Sequence, residues 1–378
     1  LSAARVDRAR RRLVVAAPAF AALAACSGSP KPKPTPLEPL VPQIAGRVVW
    51  QRSVGGLPDG AVLASAGGVF VAAGRSGAVV ALEPETGAER WRTLVGAPLS
   101  SGAGSDGRYA AIVTREGELV VLDAGRVLWR RALGQRIVTA PLVAGERVFV
   151  LATNRVVQAF DVLDGRSLWT LQRPGDPLTL LQAGVLAPYR DTLLVGQGTR
   201  LTGVDPTRGV VRWEVPLAAP RGANEIERLA DLVGPLARHG DLVCARSFQA
   251  AVGCVQADRA SLAWSRPVSG LNGVSVDDSV VVAADASDRL QAWRAASGEP
   301  LWTQEKLRHR GLAAPLIAGR TVMVGDQEGW VHFLSRQTGE LQLRLATDGS
   351  AVVTPPAAIG TTVLVGTRSG GLFAFRPE

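Results

Sequence analysis

Ala81-Leu82-Glu83-Pro84-Glu85-Thr86-Gly87-Ala88-Glu89-Arg90-Trp91 places an acid two positions after a small residue, then a Gly, then a Trp four positions later. The phrase returns as Ala159-x-Asp161 with Gly165 and Trp169, and as Gly203-x-Asp205 with Gly209 and Trp213. Weaker copies end at Trp129 (shortened by two residues), Trp264 and Trp302, and in a seventh copy Leu343 replaces Trp. A phrase recurring about every 40 residues marks a repeat architecture and overrides any domain count taken from length.

Short apolar runs precede these positions at 69–73 (VFVAA), 148–152 (VFVLA), 193–196 (LLVG), 280–284 (VVVAA) and 322–325 (VMVG). A polar or Gly-containing turn follows, as at 75–77 (RSG) and 326–329 (DQEG), and then a second run such as 78–82 (AVVAL). Two such runs around a turn predict a β-hairpin. With the Trp strand and one more, each unit has about four strands, the size of a propeller blade.

The Trp-type positions are 50, 91, 129, 169, 213, 264, 302 and 343. The hairpin at 363–366 and 372–375 has no Trp strand after it, and the Trp strand at 48–50 has no hairpin before it. The expectation is an all-β, eight-bladed antiparallel β-propeller over 47–378, closed by the N-terminal strand, which removes exposed sheet edges.

Arg5, Arg8, Arg10, Arg11 and Arg12 precede an apolar stretch from Leu13 to Ala25 that is too short for a stable span. It ends in Leu23-Ala24-Ala25-Cys26, which resembles the bacterial lipobox. This predicts a lipoprotein signal over 1–25 and lipid on Cys26. Residues 26–46 are Pro-rich and predict a semi-extended tether, reaching on the order of 60 Å at ~3.1 Å per residue. Ser27 after Cys26 resembles sorting to the outer membrane.

The formal charge of +9 falls to +5 once residues 1–25 are set aside, with 37 bases against 32 acids. These are spread through the chain with no basic block interleaved with aromatics, so nucleic acid is not an expected partner. His239, His309 and His332 lack metal-ligand spacing and are expected at turns or blade surfaces. Phosphate-binding loops, nucleophile elbows and zinc-protease motifs are absent. Glu83, Asp161 and Asp205 sit at repeat positions, where fixing turns is the expected role. The repeat Trp residues are expected between blades, whereas Trp293 and Trp330 lie outside the register and are candidates for exposure. Cys244 and Cys254 lie on two strands of one hairpin, symmetric about Gln249; a cross-strand disulfide and two buried or unpaired thiols both fit.

The repeated phrase resembles the tryptophan-docking repeat of pyrroloquinoline-quinone-type propellers, a superfamily of enzymes and scaffolds. Its enzymes carry a vicinal Cys pair and carboxylate metal ligands; this chain has no adjacent cysteines. A closer resemblance is to the BamB family, lipoproteins of the outer-membrane β-barrel assembly (BAM) machinery. Residues 224–231 (NEIERLAD) resemble that family's T-E-I-D-R-L-S-D segment, and 324–332 (VGDQEGWVH) its V-G-D-S-E-G-Y-L-H run. Trp302-Thr303-Gln304 followed by His309 and Arg310 fits as well.

The resemblance implies a non-catalytic scaffold without cofactor or metal. It would be lipid-anchored at the outer membrane, face the periplasm, bind the POTRA domains of BamA and assist outer-membrane protein substrates. The alternatives are a quinone-dependent periplasmic dehydrogenase and a propeller that binds an envelope polymer.

Two intervals between Trp positions exceed the rest: 51 residues from Trp213 to Trp264 and 44 from Trp169 to Trp213. Loops on a rigid scaffold concentrate binding residues. In the family, BamA contacts come from an L-x-L-R run and from two acids in S-D-x-D. Leu178 and Leu180 match the leucines and Asp231 the first acid, whereas Leu181 stands at the Arg position and Val233 at that of the second Asp. These five residues form the expected partner-binding set, on one side of the disc.

Overall fold

Every repeat folds as an antiparallel four-stranded sheet. The computed structural model describes residues 32–58, 60–173, 179–219 and 229–377. Among these, 32 strands form eight sheets. Blades 1 to 7 span 64–94, 104–132, 142–171, 186–216, 232–266, 275–304 and 316–346. Blade 8 combines 357–377 with Gly46–Ser53, which pairs antiparallel with Gly371–Pro377 and so completes the ring as expected.

Within a blade, strands a to d run from the central channel to the rim. In blade 1 the b and c strands, Val69–Ala73 and Ala78–Leu82, are buried at every position, while the d strand Glu89–Leu94 is largely exposed. Strands b and c pack on both faces between neighbouring blades, which is why they are continuous apolar runs. One core cluster, for example, joins Trp50, Leu364 and Leu372 of blade 8 to Phe70, Val80 and Leu82 of blade 1.

The Trp phrase is the joint between blades. Gly87 lies at φ +65°, and a Cβ there would be 2.5 Å from the Trp50 ring of the preceding blade. Gly165, Gly209, Gly298 and Gly339 meet Trp129, Trp169, Trp264 and Trp302 in the same way. The indole N–H then donates to a carbonyl of the same neighbouring turn, as from Trp50 to Pro84 O at 2.8 Å and from Trp169 to Pro206 O at 2.9 Å.

The small residue of the phrase is the cross-strand neighbour of Trp: Ala81 opposes Trp91, Ala159 opposes Trp169, and Gly203 opposes Trp213. Where Leu343 replaces Trp, its neighbour is Phe333, so volume lost on one strand returns on the other. Leu343 in turn abuts Gly46, four residues before Trp50, so the joint also closes the ring. Asp161 and Asp205 fix the c–d turns by accepting from the amides of Leu163 and Thr207, the role their repetition predicts.

Several positions differ from expectation. Trp293 is 3% exposed, packed between blades 5 and 6, and Trp330 is half-buried with the Arg344 guanidinium 5.3 Å from its ring. His332 is fully buried, its Nε2 2.9 Å from the Asp326 carboxylate, because its strand faces the blade interior rather than a surface. For Cys244 and Cys254 the disulfide, one of the two readings left open, is the one observed: they oppose each other on the b and c strands of blade 5, with Cα atoms 4.0 Å apart.

The Pro-rich stretch is not free up to residue 46. Residues from Pro34 onward belong to the same compact unit as the blades. Leu37 packs on the core between blades 6 and 7, and Ile44 on that between blades 7 and 8. Thr35 N donates to Arg308 O, Gln43 N to Gln342 O, and Lys306 pairs with Glu38 at 2.8 Å. Proline prevents continuous strand pairing but leaves side chains and alternate amides available, so a Pro-rich segment can lie along a surface as a strap. Buried Arg310 anchors it by donating to Thr35 O at 2.9 Å and to Asp326 at 2.7 Å.

A loop-built candidate docking face

The b–c turns and the connections between blades share one face of the disc. Leu178, like residues 224–228 of the family-like segment, lies outside the described residues. The described part of the connection from blade 3 to blade 4 crosses the mouth of the central channel. Gln182 Nε2 donates to Leu271 O at 2.6 Å, on the connection into blade 6. Ala183 meets Gly60 on the connection into blade 1, where a Cβ would lie 3.5 Å from that of Ala183. Beneath them the channel, a cavity of about 490 Å³, is lined by inner-strand residues such as Ala64, Leu142 and Pro235 and by Val353 on the connection into blade 8.

One carboxylate holds this crossing in place. Asp231 Oδ1 accepts from Arg155 Nη2 at 2.7 Å and Nε at 3.2 Å, and Oδ2 accepts from the Leu180 amide at 3.2 Å. Arg155 sits at φ +65° in the b–c turn of blade 3. The b–c turn of blade 3 and the connections into blades 4 and 5 therefore meet at Asp231. The ion pair is mostly shielded from solvent, with side chains 19% and 15% exposed, so removing either partner leaves a half-buried charge uncompensated.

The structure thus brings Leu180, Leu181 and Asp231 together on one side of the disc. Leu180 is half-buried, while Leu181 is 59% exposed. Val233 is a correction. It is 1% exposed, on the inner strand of blade 5, and bridges Gly184. Its side chain is shielded from solvent at the start of that strand, out of reach of a partner.

Leu271, 46% exposed, completes the apolar rim of the mouth. Its connection is held by Arg246, a fully buried guanidinium that donates to the carbonyls of Val268 at 3.0 Å and Asn272 at 2.6 Å. Burial pulls the pKa of Arg246 down to about 10.

Sequence reasoning missed Arg155, Gln182, Leu271 and Arg246. Each acts across blades, and none stands at a repeated position. No three His, Cys, Asp or Glu side chains converge in a metal-binding arrangement among the described residues.

A ring of Trp-docked blades that displays an apolar patch on its connections defines a propeller of the quinoprotein type, with a face suited to docking. The family described as outer membrane protein assembly factor BamB matches residues 41–101, 94–304 and 276–378. This chain belongs to the BamB family. It is 36% identical over 372 residues to the outer membrane protein assembly factor BamB of Burkholderia pseudomallei, covering 97% of each chain. Among solved structures it resembles BamB from Moraxella catarrhalis, with a TM-score of 0.79 and 23% identity over 88% of this chain and 99% of that one. A quinohemoprotein alcohol dehydrogenase from Comamonas testosteroni shares the fold at a TM-score of 0.67 and 14% identity, over 89% of this chain and 78% of that one.

Proposed function

We propose that this chain is a non-catalytic scaffold of the outer-membrane β-barrel assembly machinery that docks on the POTRA domains of BamA through its loop-bearing face. The carrying observation is the pinned crossing at 180–184, which presents Leu181 to solvent on a segment tied to blades 1, 3, 5 and 6. An exposed apolar side chain on an immobilised loop loses little entropy on binding, a property of interface anchors. Leu181 and Leu271 supply the contact, and Asp231 positions the crossing while its remaining exposed edge meets the partner. Leu178 would extend the same patch. Lipid on Cys26 would hold the protein at the outer membrane, facing the periplasm, where it assists outer-membrane protein substrates.

Leu181→Asp tests the reading. Because Leu181 is exposed, thermal stability should hold, while affinity for the purified periplasmic domains of BamA should fall at least tenfold, on the order of 1.4 kcal/mol. Unchanged affinity, or a loss that tracks unfolding, rejects the interface. For the anchor, Cys26→Ala should move the protein to the soluble periplasmic fraction without altering its melting temperature. Retention on membranes lacking BamA rejects lipid attachment at Cys26.

A further inference from the structure

Beside the channel mouth the same face holds a cup of about 860 Å³, walled by turns of blades 1 and 2 and the connections into blades 3 and 4. Arg75, Arg115, Glu116 and Arg136 line it, and Leu181 and Gln182 form its inner wall. Arg75 Nη2 donates to Leu57 O at 3.1 Å. Arg115 and Arg136 are exposed, and neither guanidinium has an ion-pair or hydrogen-bond partner among the described residues. That sets them apart from arginines on the outer strands and turns of the same two blades. Arg90, Arg92, Arg108 and Arg130 pair with Glu83, Glu89, Asp123 and Glu118.

Glu116 is the acid among the described lining residues, and Asp59 falls between the lining residues Pro58 and Gly60 in sequence. The excess in the cup is positive, and concave low-dielectric walls focus such a field on whatever enters. A guanidinium binds a carboxylate through two parallel hydrogen bonds. Leu181 on the inner wall offers apolar contact to a residue adjoining that carboxylate.

We propose that this cup binds an acidic polypeptide segment of a partner, with a Glu or Asp carboxylate between Arg115 and Arg136 and a neighbouring apolar side chain against Leu181. The inference rests on the docking reading above and names the chemistry of the partner strand at that face. Concavity favours a peptide over a bilayer, because a flat layer of headgroups cannot descend into the cup.

The test uses the full chain and the double variant Arg115→Glu/Arg136→Glu, with thermal melting as the folding control. The probes are the peptide Gly-Leu-Asp-Glu-Gly, its amide counterpart Gly-Leu-Asn-Gln-Gly, the periplasmic domains of BamA, and vesicles containing phosphatidylglycerol. The acidic peptide should shift amide resonances of residues 115–117 and 134–136 saturably. The amide peptide should bind at least tenfold more weakly, and the double variant should bind neither. Affinity of the variant for the BamA domains should fall at least tenfold and lose most of its salt dependence. Equal binding of the two peptides, or no saturable shift, overturns the cup site whatever the BamA domains do. So does vesicle binding that disappears in the variant while the peptides fail to bind. If Leu181→Asp abolishes BamA binding and the double variant leaves it intact, docking stands and the cup proposal falls. If the BamA domains do not bind the wild type at all, docking fails and the peptide pair alone decides the cup.

Discussion

Gly87 shows how much one missing side chain carries. Its φ of +65° already disfavours any other residue, and the Trp50 ring occupies the space of its Cβ. Gly87→Ala should therefore cost about 2–4 kcal/mol, combining left-handed strain with displacement of a packed ring. Denaturant melts check this, and a loss below about 1 kcal/mol would mean that the ring moves aside freely. Blade 5 supplies a natural counterpart: Ala260 holds φ +50° at the position where the other copies have Gly.

His332 makes a pH-dependent contribution. Burial holds its imidazole below the ordinary value, partly offset by Asp326 and reinforced by Arg310 and Arg344. An unfolded chain protonates this residue first, as pH drops below about 6.5. The stability contributed by the neutral ring is thus complete above that pH and is lost as pH falls toward the folded value. Asp326 acts lower down. Burial alone would raise its carboxyl, but His332, the Trp330 amide and Arg310 bring it below the usual range. Its contribution is present above about pH 3.9 and fades in more acid solution. Melting temperature should fall between pH 7.5 and 5.5 in the wild type and more shallowly in His332→Asn. Parallel profiles for the two proteins would exclude His332 as the source.

The strands were legible because blade geometry is local: a hairpin and a Trp–Gly spacing both fall inside one repeat. The strap was not. Its prolines suggest a free tether, and only the tertiary structure shows Leu37 and Ile44 seated on cores built by residues more than 200 positions away. Deleting 34–45 should therefore lower the melting temperature, whereas deleting 27–33 should leave it unchanged. Equal melting temperatures would show that the strap adds nothing to the fold. Of the candidate site, Leu180, Leu181 and Asp231 could be picked out from loop length and family resemblance. The partner of Asp231 could not, since Arg155 lies 76 residues earlier on another blade. Val233 was misplaced because a loop motif was carried past Leu232, where a strand begins.

The disulfide is a second element-level device. It closes a loop of 10 residues within a hairpin already ordered by its ladder. Chain-entropy reasoning gives about 2–3 kcal/mol for so short a loop. Cys244→Ala/Cys254→Ala should cost that much, with the proposed docking face unaffected because both sulfurs lie in the blade interior. A loss of BamA affinity at unchanged stability would show that the bond shapes the face.

Across the whole ring, the Trp of the repeated phrase rests on the blade after its own, and Leu343 rests on Gly46, so no blade is a cap. A solenoid of similar repeats can lose a terminal unit and keep the rest; a closed ring exposes two new apolar faces wherever it is cut. The closing strand Gly46–Ser53 finds its partner in Gly371–Pro377, more than 300 residues later. During synthesis this first strand stays unpaired until the last hairpin emerges. Until then the growing chain carries an open sheet edge and a bare Trp50. A protein that serves the assembly of others therefore completes its own ring only when its two ends meet.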